Sequence, residues 1–318
     1  MALQLQEMNQ KIGRIKENIG KVMIGKTSVI DLVLTSLIAG GHVLLEDVPG
    51  TGKTVLAKSL AKSVDSAFSR IQFTPDLLPT DITGLNYFNQ KEGEFVFREG
   101  PVFCHILLAD EINRATPRTQ SSLLECMEEK QVTIDGVTHV LERPFFVIAT
   151  QNPVETAGTY PLPEAQLDRF LMQISMGTPD KEEEIAIMKR FLADNPLEEL
   201  VPVCTGEDII AMQNAYKEVF IHTVLMGYIA DLVAATRTAD HIVMGVSPRG
   251  TLAILNAARA YAMVCGRDFV TPEDIKALAV PVLAHRLILQ RGGSRSTGSA
   301  VMTDILDQVP VPTEDWSR

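Results

Sequence analysis

The stretch from His42 to Val64 constrains this chain more than any other. His42-Val-Leu-Leu-Glu46 is a short, mostly apolar run. It leads into Asp47-Val48-Pro49-Gly50-Thr51-Gly52-Lys53-Thr54, after which Val55, Leu56, Leu60, Ala61 and Val64 recur at helical spacing. A strand, a glycine-rich turn and a helix in that order form the first half of a βαβ unit, which commits the chain to an α/β fold with a parallel sheet. The turn fits the phosphate-binding pattern G-x-x-x-x-G-K-[ST] except at its first position, where Asp47 replaces glycine. Gly50 and Gly52 still let backbone N–H groups approach phosphate, and the helix N-terminus behind them favours anionic charge. Lys53 is expected to reach the β- and γ-phosphates, and Thr54 to offer its hydroxyl oxygen to Mg²⁺. The expected nucleotide-binding set is Asp47, Val48, Pro49, Gly50, Thr51, Gly52, Lys53, Thr54 and Val55.

A second run, Ile106-Leu-Leu-Ala-Asp110-Glu111, follows about sixty residues later. Its unbroken apolar approach suits a strand buried on both faces, and it ends in two adjacent carboxylates. Asp110 is expected to hold Mg²⁺, directly or through water. Glu111 is expected to orient and deprotonate an attacking water. Alone, such a pair reads equally well as solvated charge at a strand end; beside the loop above it acquires meaning. A carboxylate poised for water points to hydrolysis rather than transfer to an acceptor, and without an NKxD-type guanine reader ATP is favoured over GTP. A third run, Val147-Ile-Ala-Thr-Gln-Asn152-Pro, places a neutral amide at a strand end. Asn152 would position the lytic water or sense the γ-phosphate, or simply end the strand in an Asn-Pro turn.

Around these runs the chain has a clear organisation. Met8, Ile12, Ile15 and Ile19 mark an amphipathic opening helix, and a second helix is expected from Thr27 to Ala39, stopped by Gly40-Gly41. Ser69 to Phe73 is a further candidate strand. Asn86 to Arg98 and Gln131 to Glu142 read as hairpins, the second turning at Asp135-Gly136. Past Gly177 strand signals nearly vanish and helix starts dominate: Asp180 with Glu183, Ser247-Pro248 and Thr271-Pro272. The expected division is therefore an α/β nucleotide-binding core at residues 1–176, carrying the opening helix and both hairpins, and a smaller all-α lid domain at 177–318. Gly292 to Ser299 is expected to be a polar loop.

Composition narrows the partners. A formal net charge of -11 disfavours broad binding to a phosphate backbone. Cys104, Cys126, Cys204 and Cys265 are far apart, and no Cys or His cluster has zinc-ligand spacing. The N-terminus lacks a signal peptide's basic and apolar regions, and the longest apolar stretch, Val29 to Ala39, is too short to span a bilayer. A cytoplasmic protein without a transmembrane segment is the expectation.

Taken together, these stretches resemble the MoxR family of AAA+ ATPases. The resemblance covers nearly the whole chain and is most specific from Ala149-Thr-Gln-Asn-Pro-Val-Glu155 through Gly158-Thr-Tyr-Pro-Leu-Pro-Glu-Ala-Gln-Leu-Asp-Arg-Phe170. Gln72-Phe-Thr-Pro-Asp-Leu-Leu-Pro79, Asp110-Glu-Ile-Asn-Arg-Ala115 and Ser247-Pro-Arg249 support it. The resemblance implies that Asn152 is the sensor-1 residue. Arg169 would be an arginine finger reaching a neighbour's ATP, unless it is a surface arginine paired with Asp168. Arg249 would be the sensor-2 residue. Arg114 and Arg118 become candidate interface contacts, and the two hairpins become insertions that meet substrate or partner. A homo-oligomeric ring, a hexamer, is implied as well. So are Mg²⁺-dependent ATP hydrolysis and chaperone-like remodelling of a protein client, with a partner carrying a von Willebrand factor A (VWA) domain. The competing expectations are a nucleic-acid motor or loader, which the acidic charge disfavours, and a nucleotide-dependent switch with little hydrolysis, which intact Asp110, Glu111 and Arg169 disfavour.

Overall fold

The computed structural model describes residues 2–153, 158–192, 195–240, 242–290 and 297–312, with side chains from residue 6 onward. Helices α1 (Ala2–Gly20) and α2 (Thr27–Ile38) precede strand β1 (Val43–Glu46), helix α3 (Lys53–Ser63) and strand β2 (Phe68–Gln72). The short α4 (Pro79–Thr83) leads into the hairpin β3 (Gly84–Asn89) and β4 (Glu94–Glu99). Then come β5 (Ile106–Asp110), α5 (Pro117–Glu129), the hairpin β6 (Gln131–Ile134) and β7 (Val137–Val140), and β8 (Phe146–Gln151). After α6 (Glu164–Leu167) and β9 (Met172–Ile174), the chain is mostly helical: α7 (Lys181–Arg190), α8 (Gly206–Ala215), α9 (Thr223–Thr238), α10 (Pro248–Val264), α11 (Pro272–Leu283) and α12 (Gly298–Gln308). Only the small antiparallel pair β10 (Ile242–Met244) and β11 (Ile288–Leu289) interrupts that run.

Five strands form one parallel sheet in the order β2-β5-β8-β1-β9. Period-two alternation explains its burial, because successive side chains point to opposite faces. Val43, Leu45, Ile106, Leu108, Phe146 and Ile148 join the cluster formed with α1, α2 and α3. Leu44, Leu107, Ala109, Val147 and Ala149 point the other way, into a cluster built with α4 and α5 around Phe73, Ile82 and Leu123. The first cluster runs on without a break into the helical half, through Ile254, Leu278 and Met302. The helices after residue 177 thus pack on α1 and α2 rather than standing apart.

Local chemistry sets the element ends. Asp180 accepts from the backbone N–H groups of Glu182 and Glu183, and Ser247 and Thr297 cap α10 and α12 in the same way. At the second hairpin Asp135 (φ 50°) and Gly136 (φ 83°) are both left-handed, the requirement of a two-residue turn matched to strand twist. The two hairpins touch each other: Asn86 Nδ2 donates to Asp135 Oδ2 at 2.7 Å, and Phe97 stacks on His139 with centroids 4.1 Å apart.

Three expectations need correction. The fifth strand, β9, was not anticipated, since three residues carry too little alternation to be seen. The pair β10–β11 places strand where helix alone was expected. Gly298 and Ser299 open α12 rather than close a loop; the rest of that expected loop lies largely outside the described residues, as do Val154 and Glu155 of the quoted motif.

Candidate nucleotide site

The sheet brings its functional ends together. In a parallel sheet all carboxyl ends lie at one edge, and ligands gather there beside the point where strand order reverses. Here β1, β5 and β8 are neighbours, so the loop after β1, the acids after β5 and the amide after β8 share one cleft of about 340 Å³. Its walls are Pro49, Gly50, Gly52, Lys53, Thr54 and Val55 on one side, and Asp110, Glu111, Thr150 and Asn152 on the other. Gly50 (φ 89°) and Gly52 (φ 90°) hold backbone angles that L side chains rarely adopt, and Gly52 is the N-cap of α3. The loop is therefore shaped to present main-chain N–H groups at a helix N-terminus.

Lys53 Nζ donates to the main-chain carbonyl of Asp47 at 2.7 Å, and burial pulls its pKa below the ordinary lysine value. Asp110 is held on two sides: Thr150 Oγ1 donates to Oδ1 at 2.6 Å and Arg70 donates to Oδ2 at 2.7 Å. Thr150 also accepts from the backbone N–H of Glu111 at 2.9 Å. Glu111 itself is left-handed (φ 56°, ψ 50°), a conformation that costs a non-glycine residue about 1–2 kcal/mol. Its carboxylate receives Gln72 Nε2 at 2.7 Å and pairs with Arg114 at 3.0 Å. Gln72, Arg70 and Thr150 are site residues that the sequence did not announce.

The residues fit a magnesium-bound nucleoside triphosphate. Thr54 and Asp110 are hard oxygen donors in the same cleft, and Mg²⁺ commonly takes one or two such protein ligands, leaving the rest to phosphate and water. Among the described residues no group of three or more His, Cys, Asp or Glu would hold a metal by itself.

Not every expected residue points into the cleft. The Asp47 carboxylate turns away and caps the segment after β9, accepting from Ser175 Oγ at 3.0 Å, from Gly177 N at 3.1 Å and from Met176 N. That contact accounts for aspartate at the loop's first position. Val48 is exposed, and Thr51 donates back to the Val48 carbonyl at 3.3 Å. Arg169 and Arg249 are absent from the walls as well. Both instead meet the carboxylate of Glu128, Arg169 through Nε at 3.1 Å and Arg249 through a terminal nitrogen at 3.2 Å. The pairing of Arg169 with Asp168, weighed from sequence, does not occur, because Asp168 is taken by Arg286 at 2.7 Å. Arg114 turns inward to Glu111.

A five-stranded parallel sheet with a phosphate loop, an acidic pair at the next strand end and helices after it defines a P-loop ATPase of the AAA+ type. The comparisons agree. The model of the ATPase family associated with various cellular activities matches residues 42–172, and the AAA lid domain model matches 234–305. The YeaC protein of Bacillus subtilis (strain 168) is 48% identical over 97% of each chain. The chaperone MoxR1 of Mycobacterium tuberculosis is 42% identical over 91% of this chain and 78% of its own. A crystal structure of a candidate ATPase from Cytophaga hutchinsonii superposes with a TM-score of 0.91 at 41% identity, covering 98% of both chains. The chain belongs to the MoxR family of AAA+ ATPases.

Proposed function

We propose that this chain hydrolyses ATP with Mg²⁺ at the junctions of a homo-oligomeric ring, a hexamer, and uses the cycle to remodel partner proteins in the cytoplasm. One observation carries the reading. The residues able to hold a triphosphate share one cleft, while the two arginines able to neutralise its transition state sit together elsewhere on the surface. A single copy therefore has a loaded half-site and a separate catalytic half-site, which meet only when a second copy is placed against the first.

In this reading the backbone of residues 50–54 and Lys53 bind the phosphates. Thr54 and Asp110 hold Mg²⁺, which when bound screens phosphate charge. Lys53 exchanges the Asp47 carbonyl for phosphate oxygen. Glu111, released from Gln72 and Arg114, accepts a proton from the attacking water, and Asn152 orients that water. Arg169 of the adjacent copy supplies positive charge as the γ-phosphoryl group leaves. Arg249 acts on the same neighbouring nucleotide, because it shares the Glu128 carboxylate with Arg169. The core of residues 1–176 and the lid of 177–318 would shift against each other as the phosphate contacts are lost. Among the described residues no helix is long and apolar enough to cross a membrane. The relative named chaperone MoxR1 supports a protein client, and a VWA-domain protein is the proposed partner.

The test mixes two inactive variants. Lys53→Ala should abolish ATP binding, and Arg169→Ala should bind ATP but not turn it over. In an equimolar mixture about one junction in four pairs an intact loop with an intact arginine, so about a quarter of the parental rate should return. Parental turnover by Arg169→Ala, or no recovery above the separate variants, would refute the reading.

A further inference from the structure

Glu128 lies in the last turn of α5, where the helix's unpaired carbonyls already present negative charge; that turn holds no basic residue, and the one cation at this end is the C-cap Lys130. A carboxylate is electrostatically disfavoured there. What it touches explains its presence: one guanidinium from the segment after α6 and one from the start of α10. We propose that Glu128 is a positioning residue that gathers Arg169 and Arg249 into a single clasp, so that both meet a neighbouring copy's triphosphate together. The inference rests on the reading of these two arginines as acting on a neighbour's nucleotide.

The geometry supports a clasp rather than a mere surface pair. Two like charges brought this close repel, and a shared carboxylate is what holds them. Arg169 is engaged through Nε, and a guanidinium approached from that side keeps a terminal nitrogen directed away from its partner. That nitrogen remains able to donate to phosphate while Glu128 still holds the group. Arg249 is gripped by one terminal nitrogen only. The carboxylate is 37% exposed, so the pairing is solvated and exchangeable rather than a locked core contact. Because the partners come from the α/β half and the helical half, Glu128 also makes the spacing of the two arginines depend on how these halves sit together. Fixing both donors before the reaction would lower the reorganisation required as phosphoryl charge develops.

The experiment measures steady-state ATP turnover and mant-ATP affinity of the full chain, with assembly followed by sedimentation. It compares Glu128→Ala and Glu128→Gln, alone and in an Arg249→Ala background. The expectation is that Glu128→Ala lowers kcat about tenfold with KM changed less than about twofold. Glu128→Gln, whose amide oxygen still accepts one guanidinium, should recover at least about a third of the parental rate. Once Arg249 is gone, the loss from Glu128→Ala should shrink to about twofold or less, because the clasp is already broken. Parental kcat in Glu128→Ala would overturn the proposal, as would an equal loss in both backgrounds or glutamine performing no better than alanine. A raised kcat would also overturn it, since Glu128 would then be a brake. Parental turnover by Arg169→Ala sinks the underlying reading, whereas an inactive Arg169→Ala beside an unaffected Glu128→Ala sinks only this inference.

Discussion

Acid should destabilise this protein through a residue that the catalytic cycle never uses. His42 immediately precedes β1 and is buried, its ring edge-on to Phe145 at 5.7 Å. Its Nδ1 accepts from the backbone N–H of Val147 at 3.0 Å, so Nε2 carries the proton and donates to the Met127 carbonyl at 3.1 Å. Burial pushes its pKa down to about 4, because a charged imidazole there would lose its water and face the Val147 N–H with a second donor. An unfolded chain restores the ordinary value of about 6.5. The folded pKa is depressed, so the unfolded state binds more protons as pH falls. The stability is fully present above about pH 6.5 and is lost as pH falls from there toward about 4. At pH 5.0 the unfolded histidine is almost wholly protonated and the folded one about a tenth, which amounts to about 2 kcal/mol lost relative to pH 7.5. His285, depressed to about 3 by burial and by adjacent Arg286, adds a loss of similar size over the same window. The assay is urea unfolding followed by far-ultraviolet circular dichroism at pH 7.5 and 5.0. The parent should lose about 4 kcal/mol from these two groups, and His42→Gln should lose about 2 kcal/mol less than the parent over that interval. If parent and variant fall by the same amount, the neutral, enclosed imidazole is the wrong picture.

Two further outcomes follow from contacts described above. Arg286→Met should destabilise the fold by about 2–3 kcal/mol in the same unfolding assay, because it strands Asp168 and removes the donor to the Phe170 carbonyl; an unchanged midpoint would show the pair to be dispensable. Asp47→Gly restores the usual first residue of the loop and removes three acceptor contacts to residues 175–177, so amide hydrogen exchange at Met176 and Gly177 should quicken by about tenfold while mant-ATP still binds. A loss of nucleotide binding in that variant would place Asp47 in the phosphate cradle after all.

How much of this could be read from the chain depended on how local each feature is. The loop at 50–54 and the acids at 110–111 were legible because strand, turn and helix adjoin in sequence, and the chemistry demands glycine, lysine, threonine and carboxylate in fixed order. Both faces of the sheet were legible from the apolar runs of β1, β5 and β8. Gln72 and Thr150 were not, since the partner of each lies 39 or 40 positions away. Glu128 was hidden among the other acids of α5, Glu125 and Glu129, and only the fold distinguishes it. The ion pair of Arg169 was hidden for a related reason. Proximity in sequence suggested Asp168, but the last turn before β11 delivers Arg286 to that carboxylate across 118 positions and leaves Arg169 to find Glu128.

Charge is the physical reason why, in the proposed function, the site would need a neighbour. Among the described residues lining the cleft, Lys53 is the cation and Asp110 and Glu111 are the anions. Arg70 and Arg114 lie close by, but each is engaged with one of those acids. A triphosphate entering this cleft therefore brings more negative charge than the walls offset, even with a divalent cation between them. In a partly desolvated site such an imbalance is costly, and the cost grows as charge accumulates on the leaving oxygens. The missing positive charge exists in the chain, as Arg169 and Arg249, yet it lies on Glu128 and outside the cleft. Folding alone does not bring the two together. On the proposed reading, a chain built this way would bind its nucleotide as a single copy and reach the transition state only when packed against another. Turnover per chain should accordingly rise with protein concentration until assembly saturates, whereas the affinity of Lys53's cleft for mant-ATP should change far less. A turnover number that stays constant down to concentrations at which sedimentation finds only single copies would show that one chain holds all the charge it needs.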